Sequence, residues 1–129
     1  MSRKREYKSY KRGDVVYVDL GNYSPGAERG FRPCIVVSRN AGNHERTPQV
    51  TVVPLTTTHK EIPVHVEVKP LEVTGYHLKE TSMALAESIQ SVHKSRIRGK
   101  IGRVDADSGV MDKLDAAVKL HLGLSEPVC

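Results

Sequence analysis

Tryptophan is absent from this 129-residue chain and phenylalanine occurs once, so aromatic side chains make up only 5% of it. A core built from such a sequence must rest on Val, Ile and Leu. Cysteine is scarce too: Cys34 lies inside an apolar run and Cys129 is the last residue. That pair makes neither a disulfide framework nor a metal-binding spacing. The histidines at 44, 59, 65, 77, 93 and 121 also lack ligand spacing, so no metal is expected. No Gly-rich loop follows a strand in the form that cradles a nucleotide, and no nucleophile-elbow serine occurs. No cofactor is expected either. The longest apolar runs are strand-length, which excludes a transmembrane helix, and no signal peptide is recognisable. These absences point to a cytoplasmic protein with reduced thiols and no membrane partner.

Charge, in contrast, is plentiful, and its location matters more than its net value of +5. Arg3, Lys4, Arg5, Lys8, Lys11 and Arg12 face a single acid, Glu6, and hold the whole excess. The rest of the chain balances. Within it, Lys94, Arg96, Arg98, Lys100 and Arg103 follow one another with no acid between them, and Asp105, Asp107, Asp112 and Asp115 come next. Two basic segments suit a polyanionic partner, because phosphate neutralisation supplies most non-specific affinity for nucleic acid. A disordered solubilising arm is the alternative reading of the tail.

At this length one domain is expected, able to bury roughly two thirds of its unfolded surface. Residues 1–11 show no apolar periodicity and are expected to form a disordered basic tail. Residues 12–124 form the domain and 125–129 a C-terminal tail. Gly13-Asp14 is a turn signal, and a strand follows over 15–20. Residues 21–31, rich in Gly and Pro, predict a mobile loop of a length usually reserved for function. Strands are expected at 34–38 and 49–54, joined by a polar tip, and then at 64–68, where Val64, Val66 and Val68 alternate with polar residues. Residues 71–78 read as irregular. Over 82–92 a strand followed by a bend is expected, then a helical turn at 94–98 and a last strand at 100–104. The C-terminal segment is an amphipathic helix: Val110, Met111, Leu114, Ala117, Val118, His121 and Leu122 share one face. Asp107 or Ser108 caps its start and Gly123 stops it. Five to seven short strands and one helix make a mainly β, α+β fold, a small barrel or curled sheet with the helix packed against it.

Without metal or nucleotide, the available chemistry is charge stabilisation by arginine, proton transfer by Glu or His, and hydroxyl hydrogen bonds. RNA cleavage needs no more, because the 2′-hydroxyl is the nucleophile. Arg32, locked beside Pro33, offers a planar fork of donors to a phosphate. Thr56, first of the run Thr56, Thr57 and Thr58, offers a hydroxyl to the same oxygens. Glu28 is a carboxylate on the loop before Arg32. A structural Arg-Pro at a strand entry is the plainer reading of the same residues.

The ordered set Lys11-Arg12-Gly13-Asp14-Val15-Val16, Gly30-Phe31-Arg32-Pro33, Val36-Val37 and Gly42-Asn43 resembles the opening half of the MazF/PemK family of bacterial toxin endoribonucleases. The resemblance continues through Val53-Pro54-Leu55-Thr56, Ile62-Pro63-Val64-His65-Val66-Glu67 and Ala86-Glu87. It ends in Arg96-Ile97, Lys100-Ile101-Gly102 and the C-terminal helix, covering about residues 11–124. It implies an SH3-like barrel of the MazF/PemK/CcdB type, usually a homodimer, that cleaves single-stranded RNA at short sequences without metal. The implied products carry a 2′,3′-cyclic phosphate and a 5′-hydroxyl. By match, Arg32 and Thr56 are the catalytic arginine and threonine, and Glu28 is the loop glutamate. Here Glu28 precedes Arg32 by four positions, against five in many members.

RNA contacts are expected from Arg29, Phe31, Thr57, Thr58, His65, Glu87, Ser88, Gln90, Lys94 and Arg96. Ser88 stands where many members have a glutamine, which implies a different base preference. His65 also reads as a structural histidine, and Lys94, Arg96 and Arg98 also read as a solvated basic turn. The implied partners are single-stranded mRNA and an antitoxin whose acidic C-terminal segment occludes the RNA groove. The alternatives are a non-enzymatic toxin of the same fold that binds a protein such as DNA gyrase, and a non-catalytic RNA-binding barrel.

Overall fold

The computed structural model describes residues 7–21, 30–42, 45–75 and 78–125. Eight strands appear in chain order: β1 (Asp14–Asp19), β2 (Phe31–Val36), β3 (Gln49–Thr56), β4 (His65–Val68), β5 (Val73–Thr74), β6 (Ser82–Leu85), β7 (Gln90–His93) and β8 (Ile97–Val104). One α-helix follows, α1 (Val110–His121). Every strand pair is antiparallel, in the order β4-β6-β3-β2-β1-β8-β5, with β7 also on β3.

The sheet curls because β3 serves three neighbours in turn. Its residues 49–52 pair with β7, 52–54 with β2, and 55–56 with β6. The expected mainly β barrel with one C-terminal helix is the fold observed. The strand count is higher than five to seven. β5 is only two residues long and falls inside the segment expected to be irregular; it exists because Val73 and Thr74 pair with Val104 and Arg103. β8 begins at Ile97, so the expected helical turn shrinks to a 3-10 turn at Lys94–Arg96. The strand-and-bend reading of 82–92 holds, with a 3-10 turn at Ala86–Ser88 between β6 and β7.

Continuous β-branched runs, rather than strict alternation, are what a sheet buried on both faces requires. Val15, Ile35, Val53 and Leu55 face one cluster together with Val110, Leu114 and Ala117 of α1. Val16, Val18, Cys34, Val36, Val50 and Val52 face the other, with Leu20 and Val92. Each fully buried Val, Ile or Leu contributes about 1.5–3 kcal/mol, which replaces the missing aromatic payload.

Residues 1–6 lie outside the described residues, but 7–11 do not run free. Tyr10 is buried in the second cluster, and the Tyr7 N–H donates to the Glu45 carbonyl at 2.6 Å. A large apolar ring repays ordering the short segment that carries it. Arg12 then ties the segment to the helix through Asp115, and donates to the Val37 carbonyl at 2.6 Å.

At the start of α1 the expected cap shifts by one residue. Gly109 is the N-cap, with φ of 81°, while the Ser108 hydroxyl accepts the Val110 N–H at 3.2 Å. The C-terminal stop at Gly123 is as expected: φ is 73°, and the N–H groups of Gly123 and Leu124 return to the carbonyls of Leu120 and Lys119.

Candidate active site

Arg32 and Thr56 are brought to one end of the β2–β3 hairpin. The ladder pairs Val36 with Val52 and Cys34 with Pro54. Continued by two residues on each strand, it sets Arg32 opposite Thr56. Side chains alternate along a strand, so Arg32 follows Cys34 and Val36, and Thr56 follows Val52, onto the same face. Pro33 lies in β2 opposite Tyr17, and Pro54 in β3 opposite Cys34. Pro33 fixes φ just beyond Arg32, and Pro54 does so two residues before Thr56.

Thr56 is 9% exposed, and its Oγ1 accepts the Thr58 N–H at 3.3 Å. That bond occupies an acceptor lone pair and leaves the hydroxyl proton as a donor. The Cys34 thiol, fully buried, contacts the Arg32 carbonyl at 3.6 Å and steadies the strand from below. The pair can therefore present a guanidinium and a hydroxyl to one phosphate. Glu28 and Arg29, with Asn43 of the matched motif, lie outside the described residues.

The other expected contacts among the described residues differ in exposure and in hydrogen-bond partners. Thr57 and Thr58 are exposed just beyond Thr56. His65 is inserted: its Nε2 lies 2.6 Å from Glu87 Oε2 and its Nδ1 lies 2.8 Å from the Lys60 carbonyl. Its side chain is almost wholly buried, which favours the structural reading. Gln90 spends its amide on the Ser88 carbonyl at 3.1 Å. Arg96 is half-buried on the 3-10 turn before β8.

Lys94 departs furthest from expectation. It is 5% exposed, its ammonium lies 5.8 Å from the Tyr10 ring and 6.0 Å from the Tyr7 ring, and it donates to Thr47 Oγ1 at 3.4 Å. Burial lowers its pKa from 10.5, against an opposing pull from Glu45. It faces the interior rather than an RNA backbone, because two rings and a hydroxyl replace part of its hydration.

Lys100 and Arg103, from the same basic segment, are spent on a buried acid. Asp14 receives Arg103 Nη1 at 2.8 Å and Lys100 Nζ at 3.2 Å, with the Lys11 N–H at 2.8 Å on its other oxygen. Sequence reasoning passed over Tyr17 and did not single out Arg98 from the basic turn. Both meet at Phe31: the Tyr17 and Phe31 rings stack at 5.6 Å, and the Arg98 guanidinium lies 5.8 Å from the Phe31 ring. The lone Phe of the chain, already among the expected RNA contacts, was the available signal.

A hollow of about 610 Å³ lies between β4 and α1, lined by His65, Glu67, Lys113, Ala117 and Leu120, apart from the Arg32–Thr56 end. Among the described residues no group of three or more His, Cys, Asp or Glu is placed to hold a metal ion. No helix among them is long and apolar enough to cross a membrane.

Residues 11–122 match a family model described as a PemK-like, MazF-like toxin of type II toxin-antitoxin system. The chain is 31% identical over 115 residues to Endoribonuclease EndoA of Bacillus subtilis (strain 168), covering 88% of this chain and 95% of that protein. An endoribonuclease from Mycobacterial species, solved in complex with its cognate antitoxin, is 32% identical with a TM-score of 0.72. That match covers 92% of this chain and 100% of the other. A MazE-MazF structure (Form-III) from Deinococcus radiodurans is 27% identical with a TM-score of 0.65, covering 90% and 98%. The match to the family model runs through nearly all of the domain, and the Arg32 and Thr56 strands lie within it: the chain belongs to the PemK-like, MazF-like toxin family of type II toxin–antitoxin systems.

Proposed function

We propose that this chain is a toxin endoribonuclease that cleaves single-stranded RNA by internal transesterification, with Arg32 and Thr56 holding the scissile phosphate. What supports the reading is the β2–β3 register: continued from Cys34 opposite Pro54, it puts Arg32 across from Thr56 at one end of the hairpin. A guanidinium fork and a fixed hydroxyl suit the equatorial oxygens of a phosphorane, where charge grows in the transition state.

In the reaction the 2′-oxygen attacks phosphorus and the 5′-oxygen leaves. The products are a 2′,3′-cyclic phosphate and a 5′-hydroxyl. One proton leaves the 2′-hydroxyl and one reaches the 5′-oxygen, so no water is consumed. Glu28 is our candidate for the proton acceptor, four residues before Arg32. A general base is worth about 10²–10⁴-fold, and Glu28→Gln should lower the cleavage rate within that range.

The working unit is read as a bacterial cytoplasmic homodimer, silenced by an antitoxin with an acidic C-terminal segment. The mycobacterial relative solved with its antitoxin supports that partner. Incubation of the protein with a long RNA in EDTA, followed by mapping of the cut ends, tests the activity. Reproducible cuts that survive chelation and fall by about 10²–10³-fold in Arg32→Ala are expected. Intact RNA at every salt concentration would contradict the proposal and favour a binding toxin.

A further inference from the structure

The chain's single Phe is not in the core. Phe31 is 49% exposed and Tyr17 is 38% exposed, yet their rings lie nearly parallel, at 17° and 5.6 Å between centroids. Neighbouring strands bring them together, since β1 pairs Tyr17 with Pro33 and Asp19 with Phe31. The β1–β8 ladder then slips between Tyr17 and Val18, leaving Arg98 as the extra residue of a bulge. Such a bulge re-aims a side chain. Here it sends the guanidinium over the Phe31 ring, while Arg98 Nη1 donates to the Ser95 carbonyl at 2.8 Å. Gly99, the residue opposite Tyr17, has no atom within 4 Å of where a Cβ would stand. Two exposed rings, a tethered cation and an open flank thus lie together on one part of the surface.

We infer that Tyr17, Phe31 and Arg98 form a stacking platform for one unpaired RNA base flanking the scissile phosphate. The inference rests on the RNA-cleaving reading above. Every base has a π face, and stacking on an aromatic ring is sequence-tolerant. The guanidinium adds attraction both to the base and to its phosphate. Phe31 immediately precedes Arg32, but the two side chains leave β2 on opposite faces. The platform therefore takes a neighbouring base, not the one at the cut. A second copy of this chain is the less favoured occupant, because two rings offer far less than the roughly 800 Å² per partner of a standard interface.

The test uses full-length protein and a random-sequence, 2′-O-methyl single-stranded RNA, which cannot be cleaved, with binding read by fluorescence anisotropy. Phe31→Leu and Tyr17→Leu should each weaken binding by about tenfold, and Phe31→Trp should retain it. On an abasic strand of equal length, wild type and the Leu variants should bind alike. Unchanged affinity in both Leu variants would overturn the platform, as would an equal loss on the abasic strand. A dissociated oligomer for Phe31→Leu in sedimentation would overturn it too, since the face would then join copies of the chain. Base-dependent loss in a protein that cuts no RNA would leave the platform standing and remove only the cleavage reading.

Discussion

Thr56 is mostly enclosed, and its oxygen is already engaged by the Thr58 N–H at 3.3 Å. What it can give a substrate is one hydroxyl proton in a fixed direction. Thr56→Val keeps the shape and removes that donor, so cleavage should fall by about 10²-fold while the thermal midpoint changes little. Thr56→Ser should restore much of the rate. Equal activity in the Val variant, measured on a mapped RNA site, would remove Thr56 from the mechanism. Tyr10 and Lys94 supply a second residue-level expectation. Burial, and then Asp14, raise the Tyr10 pKa from 10.0. The unfolded chain therefore loses this proton first, and stability should decline as pH rises above 10.0. Lys94 acts in the opposite sense, since its folded pKa is lowered from 10.5 and stability recovers as its proton leaves both states. Urea midpoints of wild type and Tyr10→Phe, compared below and above pH 10.0, isolate the first effect: the wild-type decline should be smaller in the Phe variant.

At the scale of elements, the helix end gives a clean case. Gly123 at φ of 73° lets two N–H groups close the last turn of α1. Gly123→Ala should cost about 1 kcal/mol by denaturant unfolding, since a Cβ disfavours that backbone. No loss would show that the turn relaxes at no cost. Helix α1 and strands β1 to β4 were legible because their periods and breakers are local: the apolar face of 110–122, the Val-rich runs and Gly123. β5 was not, because two residues carry no period and the pairing of Val73 is set 31 positions away, at Val104. Nor could Lys94 be read as buried. A lysine among basic neighbours is usually solvated, and only the fold brings Tyr7, Tyr10 and Thr47 around it. Arg32 and Thr56 were legible as a pair able to serve one phosphate if their two runs are neighbouring strands, but the register that sets them across from each other needed the ladder of β2 and β3. The Tyr17–Phe31 stack needed the register of β1 as well.

Across the whole molecule, the basic segment of 94–103 is divided among different tasks. Lys94 turns inward, Arg98 is aimed at Phe31, and Lys100 with Arg103 holds Asp14 where β1 meets β8. Little of that charge is left as a uniform stripe. Asp14→Asn should therefore lower unfolding stability by about 2 kcal/mol, as hydrogen bonds to a buried charge are lost. An unchanged stability would show that the pairing is incidental. The chemistry we propose lies at the Arg32–Thr56 end, where the fold would supply donors and the RNA its own nucleophile. A single 2′-deoxy substitution at a mapped cut site tests that central claim most directly. The account predicts that the deoxy RNA binds as tightly as the parent and is not cut there. Cleavage of the deoxy strand at the unchanged position would contradict it.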